Sequence, residues 1–226
     1  MSNSKFSVII RSRNEENWIG HSIQSVLDKI FKPEIIVVDN NSTDRTLEIV
    51  KLFSQDPNLY DKKNPNYTKI KILNIDEYTP GKALNYGVKN ASNENLLILS
   101  SHCVLKSFEE KKHINDLKKY VSIFGNQTPI LDGKRIAKRY IWSHFQEKKV
   151  INMFSNMEDR FFHHNAIAIY KKSFLKKNKF DEFLSGKEDR YWANDMIKKK
   201  NKILYDPKLL AEHHFTPSGN TWKGLA

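Results

Sequence analysis

At 226 residues the chain has the length of one α/β domain with a substantial core, and it is too short for two domains of ordinary size. A composition of 39% hydrophobic and 12% aromatic residues, with 8 Gly and 7 Pro, excludes low-complexity and largely disordered classes. The net charge of +12 suits phosphates, nucleic acid or an anionic membrane face and does not choose among them; short runs such as Lys118-Lys119 and Lys198 to Lys200 fit a solvated lysine-rich surface equally well.

The first segment, Phe6 to Ile10, is an apolar run that predicts a buried strand. It has neither the length nor the small-residue cleavage site of a signal peptide. No run approaches the roughly 20 apolar residues of a membrane span, and the single cysteine, Cys103, cannot form an internal disulfide. A cytoplasmic protein is therefore expected. Ile19, Ile23, Val26, Leu27 and Ile30 recur at helical spacing, and a second strand follows at Glu34 to Asp39. Ser42-Thr43-Asp44 supplies the short oxygen-bearing side chains that open a helix. An exposed loop is expected over Ser54 to Asn66, then strands at Lys69 to Ile75 and Asn95 to Ser100 flanking a helix from Lys82 to Ala91.

This alternation predicts a mostly parallel sheet flanked by helices, with ligands gathered beyond the carboxyl ends of its strands. Those ends read Arg11-Ser12-Arg13-Asn14-Glu15, Asp39-Asn40-Asn41-Ser42 and Ser100-Ser101-His102-Cys103, all polar. Beyond Phe108 the pattern weakens. A helix to about Tyr120, a short strand at Val121 to Phe124, a strand at Asn165 to Tyr170, a helix at Glu188 to Lys199 and a strand at Ile203 to Tyr205 are expected, and Gly133 to Met157 carries no clear assignment.

Ser7-Val8-Ile9-Ile10, Arg13-Asn14-Glu15-Glu16, the run from Ile36 to Thr46 and Gly81-Lys82-Ala83-Leu84-Asn85-Tyr86-Gly87 resemble, in order and spacing, successive blocks of the family 2 glycosyltransferases. The resemblance implies a GT-A type, Rossmann-like single domain over 1–226, with a nucleotide-binding half at 1–105 and an acceptor-binding half with a C-terminal tail at 106–226. It also implies an inverting transferase that moves a sugar from a nucleotide-sugar donor to a hydroxyl of a saccharide or lipid-linked acceptor, in bacterial surface polysaccharide or glycolipid synthesis.

The same resemblance implies that Arg11, Arg13, Glu15, Asp39 and Asn40 surround the base and ribose, with Asn40 standing where the family often has a second acidic residue. An amide there can pair with uracil or thymine, or, reoriented, with cytosine. Lys82 and Ser101 are implied at the donor diphosphate. Where the family carries an Asp-x-Asp motif for a divalent metal, this chain has Ser100-Ser101-His102. A metal would then rest on His102 with a late histidine, His213 or His214, and imidazole ligands favour Mn²⁺ over Mg²⁺. The competing arrangement is a diphosphate neutralised by Lys and Arg alone.

Glu188-Asp189 resembles the family's acidic pair at a helix start. Asp189 is implied as the general base that takes the acceptor's proton, and Glu188 as its orienting or acceptor-binding neighbour. His164, Asn165 and Trp192 are implied where donor sugar and acceptor meet, Trp142, His144 and Trp222 along the acceptor groove, and the tail from Phe215 to Ala226 over the nucleotide. No nucleic acid is expected as a partner, and the basic surface is expected to touch an anionic membrane at the cytoplasmic face. The rivals are a sugar nucleotidyltransferase, which needs a glycine-rich loop that Arg11 to Glu16 lacks, and an inactive binding subunit of the same fold.

Overall fold

The structure is a computed structural model and describes residues 5–55, 69–217 and 219. Most of the expected 54–66 loop, Trp222 and most of the expected C-terminal cover lie outside the described residues. The chain opens with β1 (Phe6–Ser12), α1 (Ile19–Lys29), β2 (Glu34–Asp39), α2 (Thr46–Gln55), β3 (Lys69–Asn74), α3 (Pro80–Asn90) and β4 (Asn95–Ser100), so the expected alternation holds to within a few residues. It continues with β5 (Cys103–Ser107), α4 (Glu110–Asp116), β6 (Ser122–Leu131), β7 (Lys134–Arg135), a 3₁₀ turn at Tyr140–His144, β8 (Val150–Ile151), β9 (Phe154–Ser155) and β10 (Arg160–Phe161). The last elements are β11 (Ile167–Lys171), α5 (Lys172–Lys177), α6 (Glu188–Lys198) and β12 (Ile203–His214).

The main sheet runs β3-β2-β1-β4-β11-β6-β12-β5. β3, β2, β1 and β4 are parallel. β11 enters antiparallel between β4 and β6, which leaves β6 and its parallel partner β12 pointing the same way as β1. The sheet is thus mostly parallel, with β11 and the edge strand β5 reversed.

Period-two alternation sends each strand's side chains to two cores. Ile9, Ile36, Val38, Leu96 and Ile98 face α3, α5 and α6 through Leu84, Leu175 and Trp192. Val8, Ile10, Ile35, Val37, Leu97 and Leu99 face α1 and α2 through Ile19, Ile23, Val26 and Val50. With both faces covered, the strands read as continuous apolar runs, which is why they were legible.

The chain steps from β1 outward to β3 and then returns across β1 to β4. The carboxyl ends of β1 and β4 therefore flank the point where the winding reverses, the place where open α/β sheets bind ligands. β12 extends well past the expected Tyr205. Its register on β6 slips between Asp206 and Leu210, and after that bulge the strand carries His213 and His214 up to the same rim.

Candidate active site

The turns that leave β1 and β2 lock onto each other. Asn14, with φ +53°, donates its backbone N–H to Ser42 Oγ at 2.9 Å and accepts from the Thr43 N–H at 2.8 Å. The Glu15 N–H bonds Thr46 Oγ1 at 2.7 Å, and the Glu15 carbonyl accepts the first N–H groups of α1. Asp44 bonds the N–H groups of Glu16 and Thr46, the capping role its chemistry suggests.

Above these turns lies a cleft of about 530 Å³, inside the roughly 300–1,000 Å³ range usual for small-molecule sites. β1 contributes Arg11, Ser12, Arg13 and Glu15, β2 contributes Asn40, and β4 contributes Ser100, Ser101 and His102. Across from them stand His164 and Asn165 ahead of β11, Glu188, Asp189 and Arg190 at the start of α6, and Gln127 and His213 from β6 and β12. Of the residues expected at the site, Arg11, Arg13, Glu15, Asn40, Ser101, His102, His164, Asn165, Glu188, Asp189 and His213 all line this one cavity.

Four others are placed differently. Asp39 is buried, and its carboxylate accepts the Ser42 N–H at 2.9 Å and the Ser42 hydroxyl at 2.6 Å, so it shapes the turn that presents Asn40 and does not line the cavity. Lys82, in the first turn of α3, pairs with Glu77 at 2.9 Å and lines a separate groove beside α3 and α5, not the cleft. Trp192 is buried among Tyr170, Phe180 and Phe174, its indole N–H on Asn178 O, because it points into the core side of α6. His214 alternates away from His213 along β12 and stacks on Trp18 at 4.0 Å. The expected groove aromatics are also structural: Trp142 is buried, and His144 stacks flat on Phe162 at 4.3 Å.

The acidic pair has distinct surroundings. Glu188 Oε1 accepts from Arg11 Nη1 at 3.0 Å; burial pushes its carboxyl above the ordinary value, opposed by Arg11 and reinforced by Asp189. Burial also acts to raise Asp189, but its neighbours win and hold it below the ordinary range. One oxygen accepts the Asn165 N–H at 3.0 Å, and the other accepts from the Arg190 N–H and guanidinium at 2.8 and 3.0 Å. His163 behind it is neutral, burial driving it down to about 3, so the guanidinium and the amide are what keep Asp189 ionised. Arg190 is in turn held by Glu158 at 3.2 Å.

The imidazoles of His102 and His213 lie 4.8 Å apart by ring centroid. His102 Nδ1 bonds Glu15 Oε1 at 3.0 Å, and His213 Nδ1 bonds Gln127 Oε1 at 2.5 Å. Burial drives His213 well below its ordinary value. Each ring thus has its Nδ1 turned toward an oxygen, the orientation metal-bound histidines adopt. Among the described residues, however, no group of three or more His, Cys, Asp or Glu side chains is arranged to hold a metal.

Arg190 and Gln127 also line the cleft, and neither stood out in the sequence. Arg190 directly follows the acidic pair and could have been read as its counter-charge; Gln127 lay beyond the expected end of its strand.

A sheet with this reversal point, a polar cleft above it and a carboxylate pair opposite is the architecture of an open α/β protein whose ligand site lies beyond its strand ends. The chain belongs to glycosyl transferase family 2, whose family model matches residues 7–179. It is 28% identical over 214 residues to the minor teichoic acid biosynthesis protein GgaA of Bacillus subtilis, covering 87% of this chain and 44% of GgaA. It is 25% identical over 205 residues to the poly(ribitol-phosphate) beta-N-acetylglucosaminyltransferase TarS of Staphylococcus aureus, covering 88% of this chain and 33% of TarS. The chain thus spans less than half the length of these relatives. In fold it is similar to S. aureus TarS 1-349 in complex with UDP-GlcNAc, with a TM-score of 0.69 at 23% identity over 95% of this chain and 60% of that one. It is also similar to the mannosyltransferase PcManGT of Pyrobaculum calidifontis in complex with GDP-Man and Mn²⁺, with a TM-score of 0.66 at 16% identity over 99% of this chain and 61% of that one.

Proposed function

We propose that this chain is an inverting glycosyltransferase that moves a sugar from a uridine-diphosphate donor to a hydroxyl of a saccharide or lipid-linked acceptor, in the building of bacterial surface polysaccharide or glycolipid. The observation that carries this reading is the single cleft that joins Arg11, Arg13, Asn40 and Ser101 on its β1 and β4 side to Glu188 and Asp189 on its α6 side. Teichoic acid and poly(ribitol-phosphate) in the relatives' names support the acceptor class.

Asn40 pairs with uracil through its amide. Arg13, exposed at the cleft and in no ion pair among the described residues, meets the diphosphate. Asp189 takes the proton of the acceptor hydroxyl as its oxygen attacks the anomeric carbon. The bond from that carbon to the donor phosphate breaks on the opposite face, its electron pair leaves with the nucleoside diphosphate, and the new bond has inverted configuration. Asn165 N–H and Arg190 hold Asp189 in the ionised form this needs. Residues 1–105 supply the nucleotide side, and 106–226 the acceptor side.

His102 and His213, whose rings lie 4.8 Å apart, are the residues that would hold a borderline cation such as Mn²⁺, and such a cation would supply positive charge against the leaving diphosphate. No helix among the described residues is long and apolar enough to cross a membrane, and the basic surface is suited to peripheral contact with anionic lipid.

The test is a nucleotide thermal-shift series combined with Asp189→Asn. UDP should raise Tm above GDP, CDP and dTDP, and the variant should keep that shift while losing transfer by about 100-fold or more. No shift with any nucleotide, or unimpaired transfer, rejects the assignment.

A further inference from the structure

Asp189 accepts three hydrogen bonds, from the Asn165 N–H, the Arg190 N–H and the Arg190 guanidinium. Donors of this kind, one of them carrying a full positive charge, stabilise the carboxylate form. A carboxylate stabilised too strongly is a weak base. The same guanidinium, however, is shared with a second carboxylate. Arg190 Nη1 lies 3.0 Å from Asp189 Oδ1, and Arg190 Nε lies 3.2 Å from Glu158 Oε1. The Arg190 side chain is 6% exposed and that of Glu158 12%, so solvent and salt screen this bridge weakly.

Glu158 comes from outside the main sheet, in the turn of the β9–β10 hairpin, which forms a two-stranded sheet of its own. The tip of that turn is open to solvent at Met157, yet Glu158 is fixed. Its N–H bonds Ser155 Oγ at 3.2 Å, and Ser155 Oγ lies 2.7 Å from His144 Nε2. The hairpin is laid along α6 by the Phe161 N–H, 3.4 Å from Asn194 Oδ1, and by the Arg160 guanidinium, 4.7 Å from the centre of the Tyr191 ring. Arg190 itself rests over the Phe162 ring at 4.9 Å. A surface turn thus delivers one carboxylate to the buried cation beside Asp189.

We infer that Glu158 is a positioning residue for sugar transfer, which orients the Arg190 guanidinium and offsets part of its charge so that Asp189 stays basic enough to take the acceptor's proton. The other groups around Asp189 leave this task to Glu158. Glu188 and Arg190 flank it on α6, Arg11 acts on it from β1, and His163, His164 and Tyr170 face it around β11. Burial holds His163 and His164 uncharged, at about 3 and about 4, and raises Tyr170 so that it stays a phenol. Arg11 is paired with Glu188. The inference rests on the proposed reading of Asp189 as the base and adds the residue that tunes it.

The experiment follows UDP release from UDP-glucose and from UDP-N-acetylglucosamine, with water as the acceptor, between about pH 4 and 9. Glu158→Gln keeps an oxygen for Arg190 Nε and removes the charge. Its plateau rate should fall about threefold to tenfold and its acid limb should move to lower pH by about half a unit or more, because Asp189 becomes a weaker base. Glu158→Asp, which keeps the charge, should recover part of the rate, and Met157→Ala in the same turn should leave the profile unchanged. The ¹³C carboxyl resonance of Asp189, assigned by its loss in Asp189→Asn, gives a readout that needs no turnover: protonation should require more acid in Glu158→Gln than in wild type. A slower Glu158→Gln whose limb is unmoved or shifted upward, an unaltered profile, or an Asp189 that protonates as readily as in wild type overturns the inference. If Asp189→Asn loses turnover while Glu158→Gln keeps the wild-type profile, this inference alone fails; if Asp189→Asn turns over normally, the assignment of the base fails with it.

Discussion

Arg11 Nη1 and Glu188 Oε1 lie 3.0 Å apart although 177 positions separate them in the chain. This contact ties the carboxyl end of β1, on the proposed donor side, to the first turn of α6, on the proposed acceptor side. Glu188 is 4% exposed and Asp189 8%, so two adjacent carboxylates share a low-dielectric corner with Arg11 and Arg190 as counter-charges. Removing one partner of such a set leaves an uncompensated buried charge.

Arg11→Met removes the group that opposes the upward push of burial on Glu188. The Glu188 carboxyl then climbs further and takes up a proton nearer neutral pH. The acid limb of the kcat/KM profile should move to higher pH and transfer at pH 7 should fall about tenfold, with Arg11→Lys recovering part of the loss. An unmoved acid limb in an otherwise folded variant would show that this pair does not set the protonation of the site.

Glu34 provides a separate prediction about stability. Burial acts to raise its carboxyl, but Lys71 at 2.7 Å, Ser7 Oγ at 2.5 Å and Ser92 at 2.6 and 2.8 Å overcome that and lower it. A carboxylate lowered by folding contributes stability that is fully present above its unfolded value, about 4.3, and is lost as pH falls through the folded value. Glu34→Gln should therefore cost about 2 kcal/mol at pH 7, or roughly 4–8 °C in Tm, with the difference from wild type shrinking below about pH 4. Melting curves from pH 3 to 8 measure both features.

Gly125 meets the β12 bulge directly. A Cβ on it would fall far inside van der Waals contact of the Leu209 carbonyl, which is backbone and cannot swing aside. Gly125→Ala should destabilise the chain by about 2–3 kcal/mol.

Cys103 is fully buried in the core beneath α1. Burial, with Glu15 adding to it, pushes its thiol well above the ordinary range. Since the thiolate is the reactive form, the native chain should give no colour with a thiol reagent at pH 8 and one equivalent after denaturation. Rapid native labelling would mean that β5 opens readily.

The first half of the fold was legible because its strands are buried on both faces and its helices on one. Val8 to Ile10, Ile35 to Val38 and Leu96 to Leu99 announce themselves by local apolarity. The second half was harder for a physical reason. β6 and β12 carry polar side chains into a buried rim, among them Gln127, Asp206 and His213, and β12 is interrupted by its bulge, so neither shows a clean period. β11 is placed by antiparallel pairing to β4 and β6, a long-range choice that no local pattern announces.

The site divides in the same way. Polar strand ends marked the rim, and the block Glu188-Asp189 marked the acidic pair, because backbone position alone brings them there. Which side chains face the cavity was settled by packing: Asp39 turned into Ser42, Lys82 toward Glu77, Trp192 into the core and His214 onto Trp18. By itself the sequence determined the succession of strands and helices and the polar character of their ends, since hydrophobic periodicity is a property of neighbours. Only the tertiary structure decided the hydrogen-bonding states of Asp189, His164 and Gln127, since each is set by a donor or acceptor that the fold alone brings within 3.2 Å.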